Sequence, residues 1–354
     1  MIDIRLYDTR TLAGVYRDDR SMQPPTNYWL DLCFPQQINF TEEYIDLGKL
    51  ASTRKLAPLV VPTAQGKPIY SSAERLTRIK PAYLKPKDPV TASRMIQRMA
   101  GLGDLLPDVA QSPAQRFNLL VADIIKQHRY AIERWWEWQA SQSILNAQVL
   151  LEDDGYPRQL VQFDRAAGHT ITLAPGARWG DAGVSVLDSV HSFREITRKA
   201  LFGGVSNRLT VGAKAWGAMS KSQEIRDLLK TDYRPQTTNG LDLNIGLRNG
   251  AEVEFVGNLN GLLPVYVYSD YYQSADGTVV PMMDERDIVL TGNSVQGIRC
   301  FGAIQDKAAG WQALPVFGKM FDQDDPSATF IMHQSAPLMV PVNPNATLRA
   351  RVVA

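Results

Sequence analysis

The chain has 354 residues, 44% hydrophobic and 21% charged, which is the range of an ordinary globular chain with one or two compact units and excludes a disordered one. Its 38 Lys and Arg residues against 37 Asp and Glu give a formal net charge of +1, without the basic excess by which a dedicated DNA clamp meets phosphates. The opening MIDIRLYDTR lacks an apolar signal-peptide core, no run of about 18 uncharged apolar residues occurs, and Cys33 and Cys300 have neither CxxC spacing nor a partner histidine. Two reduced, partly buried thiols in a cytoplasmic, membrane-free chain are expected.

Residues 1–40 read as an arm. Asp8 or Thr9 caps a short helix through Tyr16, and Pro24-Pro25 opens a second that carries Tyr28, Trp29, Leu30, Leu32 and Phe34. That second segment is too apolar for water and must pack on its own body or on a neighbouring subunit, which makes Trp29 and Phe34 contact candidates. Residues 41–90 read as an extended excursion. Strands are expected at 43–47 and 56–61, followed by scattered prolines and few large hydrophobes between Gln65 and Lys80. So long a loop with little core of its own points to a binding partner. Gln65, Gly66, Lys67 and Tyr70 are its contact candidates, and deleting 62–80 is expected to leave a folded body.

Ser112-Pro113-Ala114-Gln115 is a capping box with proline at the first helical position. Phe117, Leu120, Val121, Ile124, Ile125, Ile132, Trp135, Ile144 and Leu145 follow at steps of mostly three and four, predicting a helix over about 113–146. Trp135, Trp136 and Trp138 cannot all face one side of it. The helix therefore has a wide core face or touches a partner as well, and all three indoles are contact candidates. Asp153-Asp154-Gly155 turns a hairpin between 148–152 and 158–164. A short strand is expected at 170–173, an amphipathic helix at 186–201 stopping at Gly203-Gly204, a buried strand at 208–211 and a short helix at 223–230. At least four strands are expected within 252–291, and more around 302–304 and 329–332.

Chemistry is sparse. His128, His169, His191 and His333 show no HxxxH spacing, so a metal site would need distant loops, and His128 is expected in a hydrogen-bonded packing role. Gly66-Lys67 ends like a phosphate loop but lacks the earlier glycine and runs into Pro68, and no GxSxG elbow occurs. The carboxylate pairs at 153–154 and 324–325 read as solvated turn residues. No catalytic, metal or cofactor site is expected, and no enzyme.

The segments Cys300-Phe301-Gly302-Ala303-Ile304-Gln305-Asp306 and Gln334-Ser335-Ala336-Pro337-Leu338-Met339 resemble the closing motifs of the phage lambda-type major capsid protein family. Tyr83-Leu84-Lys85-Pro86-Lys87 is similar to that family's Tyr-Val-Lys-Pro-Lys stretch, and the order of parts is alike over nearly the whole chain. The resemblance implies an α+β fold of the Hong Kong 97 capsid type. Its parts would be an N-arm (1–40), an E-loop (41–90), a peripheral domain (91–184) with a spine helix at about 113–146, an axial domain (185–295), and a return to the peripheral domain (296–354). It implies homo-oligomeric hexamers and pentamers of an icosahedral phage head, assembled in the host cytoplasm and located in the virion. Double-stranded DNA would lie on the inner face without sequence-specific binding. Further implied partners are a portal, a scaffolding protein, expected to be separate because the arm starts at residue 1, and a cementing or decoration protein near loop and arm. Lys67 lies near the expected loop tip, but no residue identifies a cross-linking partner, and no cross-link is expected.

Overall fold

A computed structural model describes residues 26–42, 44–50, 74–90, 113–153, 156–226, 252–259, 263–274, 276–323 and 328–354. The apolar run after Pro25 folds as α1 (Tyr28–Cys33) and leads into β1 (Gln36–Asn39). β2 (Ile45–Leu50) pairs antiparallel with β3 (Glu74–Ile79), and β4 (Lys87–Val90) follows. The expected strand at 56–61 and the short helix ending at Tyr16 lie outside the described residues. Residues 74–79, expected to belong to the coreless excursion, form a strand instead. Ile45 and Ile79 are register partners and both are buried, packed with Val149, Val161 and Leu338, so the root of the excursion has a core of its own.

The long helix forms as predicted. α2 (Pro113–Leu145) has 33 residues and spans about 50 Å. Its first half buries Leu120, Val121, Ile124 and Ile125 against Val90 and Ile331, and its second half buries Ala140 and Ile144 against α1, Phe301 and Met339. Different faces serve the two halves, which is why no single narrow apolar stripe runs its length. The last helical carbonyls, which have no partner within a helix, accept from one guanidinium: Arg165 donates to Ile144 O at 2.8 Å and to Leu145 O at 2.7 Å. The hairpin follows, with β5 (Gln148–Asp153) antiparallel to β6 (Tyr156–Gln162).

The largest sheet has six strands in the order β7-β18-β13-β8-β10-β9. These are β7 (Thr170–Thr172), β8 (Arg208–Val211), β9 (Val253–Leu259), β10 (Leu263–Tyr268), β13 (Asp287–Thr291) and β18 (Leu348–Arg351). It draws strands from both sides of the stretch 185–295. α3 (Val186–Lys199) packs Val186, Val190 and Phe193 on it, and α4 (Ala213–Met219) adds Ala215 and Met219. Ser185 caps α3 by accepting from Asp188 N. The helix ends one turn before Gly203, where a Cβ would fall on the Thr197 carbonyl. Of the expected helix at 223–230, residues 223–226 are described and helical. Asp287, fully buried in β13, accepts from Arg349 at 2.7 Å and from Arg351 at 2.9 Å, so the charge in the sheet is paired across strands.

β11 (Tyr271–Gln273) and β12 (Val279–Pro281) form a hairpin. Two smaller sheets lie against α2. One is β1-β14-β17, with β14 (Ile298–Phe301) and β17 (Pro337–Val340). The other is β15-β16-β4, with β15 (Phe317–Gln323) and β16 (Ala328–Gln334). Gly302, expected inside a strand, follows β14, and the strand expected at 329–332 extends to 328–334. Cys33 and Cys300 are buried free thiols.

Candidate contact surfaces

The arm's aromatic residues resolve to the intramolecular alternative. Trp29 and Phe34 are 0% exposed, and Trp29 sets its ring 5.0 Å from Tyr28 and 5.6 Å from Tyr268. In the single chain their apolar surface is spent on its own core. The indoles of α2 differ. Trp135, Trp136 and Trp138 are each only half-buried. Trp136 meets Phe301 edge-on at 5.0 Å, Trp135 and Trp138 lie 5.7 Å apart, and Trp138 reaches Tyr272 at 6.4 Å. They bridge two core clusters and keep part of their surface outside both. Gln65, Gly66, Lys67 and Tyr70 lie outside the described residues.

The motifs that carried the resemblance meet in space. The Tyr83 hydroxyl donates to Gln334 Oε1 and accepts from Gln305 N at 3.1 Å. Gln334 Nε2 donates to Asp306 Oδ2 at 2.9 Å, and Lys319 Nζ stands 3.2 Å from the same oxygen. Leu84 and Ser335 exchange backbone hydrogen bonds of 2.8 and 3.1 Å. Partial burial opposes ionisation of Asp306, but the Ala308 N–H, the Gln334 amide and Lys319 outweigh it and hold the carboxyl below its ordinary range. These residues pin the end of the excursion to the closing strands.

A second cluster ties α2 to β4 and β16. His128 Nδ1 lies 2.9 Å from His333 Nδ1, and His128 Nε2 lies 2.9 Å from Asp88 Oδ2. The packing role expected of His128 is thus present, with a partner 205 positions away that no local spacing could signal. Burial, reinforced by His128, pushes His333 down to about 3, which keeps it neutral. Among the described residues no group of three or more metal-type ligands occurs.

Sequence reasoning missed exposed apolar positions, among them Phe202, Val205 and Trp311. Trp311 is 61% exposed and Phe202 is 40% exposed, both on left-handed backbone, with φ of 60° and 58°. Bulky residues rarely adopt that conformation. The turn holding Trp311 is braced from below, since Asp306 Oδ1 accepts from Ala308 N at 2.8 Å. Val205 is exposed beyond Phe202. The adjoining glycines, Gly310 and Gly203, were the available signal, and they report turns, not exposure.

A family model described as phage major capsid protein E matches residues 8–352. The major capsid protein of Enterobacteria phage P21 is 28% identical over 344 residues, covering 96% of this chain and 97% of that protein. The major capsid protein of Escherichia phage lambda is 25% identical over 345 residues, covering 96% and 97%. A crystal structure of a candidate capsid protein from an Escherichia coli CFT073 prophage superposes with a TM-score of 0.73 at 21% identity, covering 98% of this chain and 99% of that one. Among the described residues no helix is long and apolar enough to cross a membrane.

Proposed function

Because the chain belongs to the phage major capsid protein E family and is a structural protein of the phage head, not an enzyme, we propose that its copies close into hexamers and pentamers of an icosahedral shell around double-stranded DNA. The observation that carries this reading is the family match over residues 8–352. The fold is α+β and related to capsid structures of the Hong Kong 97 type. On this reading residues 1–40 are the N-arm, 41–90 the E-loop and α2 the spine of the peripheral domain. The six-stranded sheet with α3 is the axial domain, which borrows β7 and β18 from outside 185–295.

On this reading the shell contacts fall to the loop residues Gln65, Gly66, Lys67 and Tyr70 and to surfaces that the described chain leaves partly open: the outer parts of Trp135, Trp136 and Trp138, and the exposed Phe202, Val205 and Trp311. Each contact is modest alone, and a closed shell makes them simultaneous, so their stabilisation compounds. A net charge of +1 suits a wall that meets DNA without sequence-specific binding and does not condense on it during assembly. A separate scaffolding protein, a portal and a cementing or decoration protein complete the proposed partners, with assembly in the host cytoplasm.

Electron microscopy of the purified chain, with and without co-expressed scaffold, tests the proposal. Closed round shells of uniform diameter are expected. A strict monomer, or open tubes alone, under every assembly condition would overturn it.

A further inference from the structure

Glu137, on the second half of α2, is 1% exposed and lies beside Trp29, Leu30, Tyr268 and Met282. Its Oε1 accepts from Trp29 N at 2.8 Å and its Oε2 from Leu30 N at 3.1 Å. Trp29 and Leu30 are the second and third residues of α1, where backbone N–H groups lack partners within their own helix. One side chain of the long helix therefore supplies acceptors for the start of the arm helix. The Tyr268 hydroxyl stands 3.5 Å from Oε1.

The ionisable groups that act on this carboxyl are mostly acids, several of them held by arginines. From α1 it is faced by the Cys33 thiol and by Asp31, which is paired with Arg299 of β14 at 3.1 Å, and from the end of β10 by Tyr268 and Asp270. On α2 itself, Glu133 is paired with Arg129 at 2.8 Å, and Arg134 acts on Asp270. Arg208 of β8 acts on Cys33 and Tyr28. Among the described residues no basic group forms an ion pair with Glu137.

We propose that Glu137 is a proton-operated latch, which holds α1 on α2 while its carboxyl is neutral and loosens it once ionised. An ionised carboxylate here would be a buried charge with acidic neighbours and no counter-ion, an arrangement that water relieves as soon as α1 lifts. Burial pushes the carboxyl up to about 8, the two N–H bonds oppose the rise, and Asp270 and Asp31 add to it. The docked state thus keeps its proton between the ordinary 4.5 and about 8, where the undocked carboxyl has already lost its own. Docking is strongest below about 4.5, weakens progressively as pH rises to about 8, and is level beyond. The latch belongs to the single chain and stands whether or not particles form.

Hydrogen exchange of the unassembled full chain tests it, with rates corrected for intrinsic pH dependence. Between pH 6.5 and 8.5 the protection of 28–34 is expected to fall by about tenfold or more, while that of 287–291 in the sheet core holds. E137Q, a neutral isostere, is expected to abolish that pH dependence. Three results would overturn the latch: constant protection of α1 in the wild type, loss of protection in both segments together, or an undiminished pH dependence in E137Q, which would assign it to Asp270 or another group.

Discussion

Trp29 and Trp311 stand at opposite ends of the burial scale, 0% and 61% exposed, and one substitution at each separates folding from assembly. Trp29→Ala removes a filled volume between α1, Tyr268 and the long helix, and is expected to cost about 3–5 kcal/mol, seen as a lower midpoint of urea unfolding. Trp311→Ser touches no core. Its indole leaves on the order of 100 Å² in water, worth about 2–3 kcal/mol wherever a neighbour covers it. The expected outcome is an unchanged urea midpoint with slower or incomplete particle formation by light scattering. A shifted midpoint with normal particles would place Trp311 in the fold and not in a contact. Neither position was fully legible in the sequence. The apolar arm segment predicts that Trp29 is buried but not against which chain, and exposure of Trp311 depends on a turn whose conformation no periodicity reports.

Among the elements, α2 was the most legible, because its start signal and its spacing are local properties of the chain. The strand pairings were the least legible. β18 lies between β7 and β13, and β13 lies in turn beside β8, so these partners come from residues 170 to 351. An alternating apolar pattern shows that a strand has a buried face and says nothing about its neighbour. The same non-locality hides what holds the end of α2: the spacing places that end to within a residue, but not its partner, Arg165. This guanidinium serves the Ile144 and Leu145 carbonyls and also donates to Thr170 Oγ1 at 2.7 Å, tying the helix end to the six-stranded sheet. Arg165→Met keeps much of the side-chain volume and removes every donor. It is expected to destabilise the chain by about 2–3 kcal/mol, since hydrogen bonds from a charged donor to buried carbonyls are lost. Faster hydrogen exchange at 140–147 would mark the frayed end, and unaltered exchange there would show that the carbonyls find other donors.

At the scale of the molecule, the excursion from residue 41 to residue 90 has a rooted base, and that changes which deletion is informative. Removing 62–80 would take out β3 and with it Ile79, which is buried against Ile45 and the β5–β6 hairpin. Such a chain would lose core, and its failure to assemble would report misfolding as readily as a missing contact. Replacing only 51–73 with a short Gly-Ser turn keeps the β2–β3 pair, and it keeps the contacts of Tyr83 with Gln334 and Gln305. Loop-closure entropy changes little with such shortening, because its cost grows only with the logarithm of length. The shortened chain is therefore expected to match the wild type in urea midpoint and far-ultraviolet circular dichroism. It is also expected to form no closed shells by microscopy, because Gln65, Gly66, Lys67 and Tyr70 would be gone. Wild-type shells from this variant would remove the loop from the assembly contacts and leave the half-buried indoles of α2, with Phe202, Val205 and Trp311, to account for association.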